Sequence, residues 1–262
     1  MSYPMSINKN ASAPVLFLSH GSPMRLIEPS AATEFLSELP QQLPEIKGIV
    51  VISPHWQTAK LSYTSSEQLN PIYDFYGFPP QLSKIPYSVK NPRWLQQTLI
   101  NQLGQQGLAQ DKRGLDHGAW SLLYFMYPKA DIPTIGLSLP RDYTPLDLYQ
   151  LGQQLAPLRQ QGILILASGM ATHNLSRLNQ SGIRQTWADE FVLWLQEKVA
   201  TQDIDSLINY RTLAPNAATA HPTDEHLLPL FIALGAAQHE TSTLLHDSWE
   251  FGTANNSCWG WS

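Results

Sequence analysis

The sequence predicts an α/β fold: a single domain with a mainly parallel central sheet flanked by helices. Three observations carry that prediction. Short apolar runs rich in Val, Ile and Leu recur along the chain, helix-like segments separate them, and no low-complexity linker interrupts the alternation. Parallel neighbours need crossover connections that are usually helical, so the alternation and the parallel sheet imply one another.

Residues 1–13 lack the basic start and apolar core of a leader and read as a flexible N-terminus. The run PVLFLS at 14–19 is the first predicted strand, apolar on both faces and therefore buried. A helix follows from Ser30 in SAATEFLSELPQQL, then a second strand, GIVVIS, at 48–53. Residues 70–82, NPIYDFYGFPPQL, place four aromatic rings among Gly and Pro and read as a loop, equally suited to be a lid or a packed corner. Helices are predicted from Asn91 in NPRWLQQTLINQLGQQG and in AWSLLYFMY after His117, with a strand, TIGLSL, at 134–139. A further helix starts at Thr144, the fourth strand GILILAS covers 162–168, and IRQTWADEFVLWLQEKVA is again helical. Leu227, Leu230, Phe231 and Leu234 follow the i, i+3, i+4, i+7 rule of an amphipathic helix, with Thr223 as its candidate cap and Pro229 disturbing its first turns.

Composition removes several function classes. Lys and Arg number 16 against 21 Asp and Glu, with no basic cluster, so a nucleic-acid partner is not expected. The one cysteine, Cys258, cannot close an internal disulfide; it suits a reducing compartment and a packing role. No apolar run approaches the ~20 residues of a membrane span, so a cytoplasmic protein without a membrane partner is expected. No GxGxxG or Walker loop follows a strand, and ASGMA at 167–171 is not a serine nucleophile elbow.

Histidines carry the remaining signal. In open α/β sheets, ligands bind beyond the carboxyl ends of the parallel strands. His20 follows the first strand, His55 the second through VISPHW, and His173 the fourth through ASGMATH. A single histidine near a core is more often packing than ligand, but three at one end of the sheet weigh against that reading. His117 in GLDHGAW is a fourth, beside Asp116, whose carboxylate could fix its tautomer. His221 and His226 would lie roughly 140° apart on an ideal helix and so would not share a metal from one face. His239 and His246 have no comparable turn context and are assigned to structure.

The ordered segments FLSHGSP, ISPHW, GLDHGAW, ASGMATHNL and HPTDEHLLPLFIALGAA resemble the class III extradiol ring-cleaving dioxygenases, nearest to the 4,5-DOPA extradiol dioxygenase group. The likeness runs from about residue 14 to HDSWEFGT near the C-terminus. It implies one α/β catalytic domain over 1–262, a mononuclear non-haem metal, and a catechol and O2 as small-molecule partners. Matched motif by motif, it implies His20, His55 and His226 as metal ligands, His226 standing where many relatives carry glutamate, with Glu225 in reserve. His173 matches the acid/base histidine, and His117 a second histidine that contacts substrate or oxygen. Fe(II) is the cofactor expected for activity, although three imidazoles could also hold Zn(II). DOPA is the substrate the resemblance favours, with caffeate and other catechols open, and Ser22, Tyr127 and the aromatic loop are candidate pocket walls. A zinc-dependent hydrolase, or a non-enzymatic metal- or peptide-binding protein on the same fold, are the alternatives.

Overall fold

Val15–Ser19 (β1) is buried on both faces, as its uninterrupted apolar run requires. It lies inside an eight-stranded sheet, described by a computed structural model that covers residues 12–104 and 106–262. The other strands are Gly48–Thr58 (β2), Ser62–Thr64 (β3), Leu108–Gln110 (β4), Thr134–Pro140 (β5), Ile163–Gly169 (β6), Thr243–His246 (β7) and Cys258–Trp261 (β8). Their spatial order is β4-β3-β5-β2-β6-β1-β8-β7. The four central strands, β5, β2, β6 and β1, are mutually parallel, while β3 runs antiparallel to β5 and β8 antiparallel to β1 and β7. The fold is thus the expected single α/β domain with a mainly parallel sheet.

Alternate residues of the central strands feed two separate cores. Val15, Phe17, Val50, Ile52, Ile163 and Ile165 face one, and Leu16, Leu18, Ile49, Val51, Leu164 and Leu166 face the other. Each face needs a helical cover. Ala31–Glu38 (α1) and His117–Met126 (α3) supply it on the second face, and Pro145–Leu155 (α4), Thr186–Ala200 (α5) and Pro229–Ala237 (α6) on the first; Arg93–Leu103 (α2) adds Leu95, Leu99 and Leu103 to that first core. Ser30 and Thr144 close capping boxes with Thr33 and Asp147, which explains why α1 and α4 begin where they do.

Several expectations are corrected. The second strand does not end at Ser53: β2 continues to Thr58, with its pairing to β5 shifted between Ile52 and Gln57. Pro54, which has no N–H to donate, sits in that bulge, and the bulge re-aims the side chains around it. The helix at the end of the chain's last histidine motif is not amphipathic: every residue of α6 is buried. It starts at Pro229 rather than under a Thr223 cap, so His226 belongs to the turn before the helix. Burial all round is possible because α6 crosses α4 at paired glycines. A Cβ on Gly152 would stand 2.1 Å from the Ile232 carbonyl oxygen, and one on Gly235 1.9 Å from that of Tyr149.

The expectation of a flexible N-terminus falls outside the described residues up to position 11. Ala13, by contrast, is buried, its N–H donating to Arg159 O at 2.9 Å and its carbonyl accepting from Arg159 Nε at 2.8 Å. Among the described residues no helix is long and apolar enough to cross a membrane.

Candidate metal centre and its cavity

At the carboxyl ends of β1 and β6, and in the bulge of β2, the chain opens a cavity of about 410 Å³. Five of the histidines singled out above, His20, His55, His117, His173 and His226, line it. His20 leaves β1 into Gly21, whose φ of +63° and whose packing against Arg25 exclude any side chain: a Cβ would stand 2.0 Å from Arg25 Cζ. The turn after β6 brings His173 back, its N–H donating to Ala220 O at 3.0 Å, while Met170 N–H donates to His226 O at 2.9 Å and anchors the His226 turn to the same strand end. Gly118 lets the start of α3 approach β2, since a Cβ there would meet His55 Cδ2 at 2.8 Å.

The rings are mutually close. Centroids of His20, His55 and His226 are 5.1, 5.4 and 5.0 Å apart pairwise, close to an equilateral triangle. His117 approaches His55 at 4.0 Å, and His173 stacks on His226 at 3.4 Å with 11° between the planes. Ligand atoms of His20, His55 and His117 fall within 4.8 Å of one another, as do those of His173, Glu225 and His226.

Hydrogen bonds define which nitrogen is free on His20 and on His226. Ser168 Oγ donates to Gly118 O at 2.6 Å and lies 3.0 Å from His20 Nδ1. A hydroxyl has one proton, so His20 must donate from Nδ1 and carries its lone pair on Nε2. His226 Nδ1 donates to Glu225 Oε1 at 3.0 Å, which leaves Nε2 as a buried lone pair without a partner among the described residues. Burial would raise the Glu225 carboxyl, but hydrogen bonds led by that from His226 outweigh it and push it down to about 2, so the acceptor is a carboxylate. Thr223 Oγ1 donates to the same oxygen at 2.9 Å.

Burial, reinforced by the neighbouring imidazoles, holds His20 well below the ordinary histidine value and pushes His55 to about 2 and His173 to about 3. His226 is lowered too, by burial working against the pull of Glu225. These rings are therefore neutral near pH 7 and offer lone pairs. His20 Nε2 and His55 Nε2 face each other at 3.3 Å; two nitrogens about 2.0–2.1 Å from a common ion at a tetrahedral angle stand about 3.4 Å apart. Neutral rings, two Nε2 atoms facing each other and a buried Nε2 with no partner among the described residues fit a divalent metal.

The expectation that Asp116 fixes His117 is overturned. Asp116 caps α3, accepting from Ala119 N–H at 3.3 Å, and takes further bonds from Ser53 Oγ and Arg113. The partner of His117 is Asp74, from the aromatic loop, a residue sequence reasoning missed. Its Oδ1 accepts from the His117 backbone N–H at 2.9 Å and from Nδ1 at 3.0 Å. Burial would raise the Asp74 carboxyl, yet these bonds bring it below its ordinary value.

That loop is both a corner and a wall. Tyr73 Oη donates to Ile85 O at 2.8 Å and its ring meets Trp120 at 5.8 Å, whereas Phe75 and Phe78 line the cavity, Phe75 edge-on to His117 at 5.7 Å. Ser22 also lines it; Tyr127 does not. The other histidines are elsewhere: His221 Nε2 donates to Ala171 O at 2.9 Å, His246 stacks on Phe35 at 4.9 Å, and His239 is exposed.

Fold and site together define a class: an α/β protein with an imidazole-lined candidate metal centre beneath an aromatic wall, at the ligand-binding end of a parallel sheet. The comparisons with known proteins are more particular. The family model described as the catalytic LigB subunit of aromatic ring-opening dioxygenase matches residues 14–258. The 4,5-DOPA dioxygenase extradiol of Beta vulgaris is 39% identical over 246 residues, covering 90% of this chain and 91% of that protein. The protein of the same name from Escherichia coli K12 is 35% identical over 88% of this chain and 87% of its own length. The crystal structure of an uncharacterized Escherichia coli K12 protein superposes with a TM-score of 0.81 at 30% identity, covering 95% of this chain and all of that one. The chain belongs to the LigB family of aromatic ring-opening dioxygenases.

Proposed function

We propose that the protein is an Fe(II)-dependent extradiol dioxygenase that cleaves a catechol, with His20, His55 and His226 holding the metal. The observation that carries the ligand set is His226 Nε2, a buried lone pair without a partner among the described residues, on a ring whose centroid lies 5.4 and 5.0 Å from those of His20 and His55. When bound, the iron would supply the redox chemistry with O2 that side chains lack. Three imidazoles would also bind Zn(II), which is redox-inert, so identity of the metal decides activity rather than occupancy.

The chain's own residues do the rest. Phe75 and Phe78 give a planar ring an apolar wall inside a cavity whose lining is mainly apolar. His173 lines the cavity and takes a proton from a catechol hydroxyl as general base. His117, with Nδ1 bound to Asp74, has only Nε2 to offer substrate or oxygen. DOPA is the favoured catechol, being the substrate in the names of the relatives.

Anaerobic loading with Fe(II), then catechol and air, should give oxygen uptake matched to a yellow ring-opened product. No turnover across several catechols after verified iron loading would refute the proposal. For the ligand set, His226→Ala should lower metal affinity by well over an order of magnitude; unchanged affinity removes His226 from the set.

A further inference from the structure

We propose that Asp74 is a positioning residue of the ring-cleaving reaction: its Oδ1 locks His117 in the tautomer with Nδ1 protonated and joins the aromatic wall to that histidine. The inference rests on the ring-cleavage reading above and concerns a residue in none of the histidine motifs. A carboxylate can only accept, and one oxygen takes both the backbone N–H of His117 at 2.9 Å and its Nδ1 at 3.0 Å. The paired bonds fix the ring relative to its own backbone and leave Nε2, without a protein partner, as an acceptor on the cavity side.

His55 is not the main partner of Asp74, since its Nδ1 lies 3.9 Å from Oδ2, beyond hydrogen-bond reach. Nor does the loop depend on the carboxylate for its anchor: Tyr73 already supplies one through its bond to Ile85 O at 2.8 Å and its contact with Trp120. Asp74 sits between that anchor and Phe75, whose ring meets His117 edge-on at 5.7 Å. One side chain therefore ties the histidine to the loop that carries the wall against which the substrate ring would lie. A carboxylate behind an imidazole is a recurrent device for choosing its tautomer and orientation.

The test combines kinetics of the iron-loaded enzyme with nitrogen NMR of histidine-labelled, zinc-loaded protein. Asp74→Ala should lower kcat about 10- to 100-fold, the range for loss of such supporting partners, with the larger effect in kcat rather than KM. Asp74→Asn retains an acceptor that the two N–H groups of His117 select, so it should recover most of the rate. In a His117→Ala background, Asp74→Ala should cost nothing further, because a residue acting through His117 has nothing left to act on. In the NMR arm, His117 should be a single Nδ1–H tautomer in wild type and in Asp74→Asn, and a mixture in Asp74→Ala. Additive losses in the double variant, an unchanged tautomer in Asp74→Ala, or an Asp74→Asn protein that folds but is as slow as His117→Ala would each overturn the proposal. Should Asp74→Ala fail to fold, the Asn variant still decides. Absence of catechol turnover by wild type would instead defeat the ring-cleavage reading, while the tautomer measurement would still report on Asp74.

Discussion

Ser168→Ala tests the proposed metal centre without touching a ligand. Ser168 is fully buried, and its hydroxyl accepts from His20 Nδ1 at 3.0 Å while donating to Gly118 O at 2.6 Å. Removing it leaves the Nδ1 proton of His20 with no acceptor, a penalty of about 1–3 kcal/mol for a buried donor. Without metal the ring escapes that penalty by moving its proton to Nε2. A metal on Nε2 forbids the escape, so the cost falls on metal binding rather than on folding. The worked magnitude is a loss of roughly 5- to 150-fold in affinity. Competition against a chromophoric chelator, with Zn(II) as the probe, measures it, and the urea midpoint of the metal-free protein should move little by comparison. Wild-type affinity in a folded Ser168→Ala protein would refute both the tautomer assigned to His20 and its place among the ligands.

His173→Ala should retain metal affinity and lose about 10²- to 10⁴-fold in turnover, the usual worth of a general base; loss of the metal would place His173 among the ligands instead. Gly235→Ala pushes a Cβ to within 1.9 Å of the Tyr149 carbonyl oxygen, and such overpacking should lower stability by about 1–3 kcal/mol, read as a lower urea midpoint at constant slope. Cys258 is buried in β8, and burial pushes its thiol up to about 12. Because the folded value exceeds the ~8.5 of an exposed thiol, the stability this neutral thiol contributes is whole below that pH and drains as pH rises towards the folded value. At pH 8.5 the native thiol should resist a disulfide reagent that labels the urea-unfolded chain at once; rapid native labelling would contradict its burial.

His20 and His173 were legible because each follows an apolar, β-branched run, and a buried strand has to end in a turn on the sheet's rim. His55 was found for the right reason at the wrong address: the strand continues past it, and Pro54 marks a bulge rather than an end. Strands β3 and β4 escaped notice because three residues carry no periodicity, and β8 because CWGW pairs Trp with Gly instead of β-branched residues. All-round burial of α6 depended on two glycines 83 positions apart, Gly152 and Gly235, meeting the opposite helix's carbonyls, a match visible only in space. Asp74 was the largest omission. It stands 43 residues from His117 in a loop whose aromatic content drew attention to packing, while the adjacent Asp116 offered a nearer and mistaken partner.

The strand that presents His20 is held from far along the chain. β1 lies between β6 and β8, and Ser19 is fixed at the start of β8: its N–H donates to Cys258 Sγ across 239 positions, and its hydroxyl to Ser257 O across 238. A chain that stops short of Ser257 therefore leaves the His20 strand without one flank. Closing the sheet across 239 positions is a long loop-closure step that makes folding slow. A nascent or C-terminally clipped chain would carry every imidazole of the cluster but not the edge that holds the first of them still.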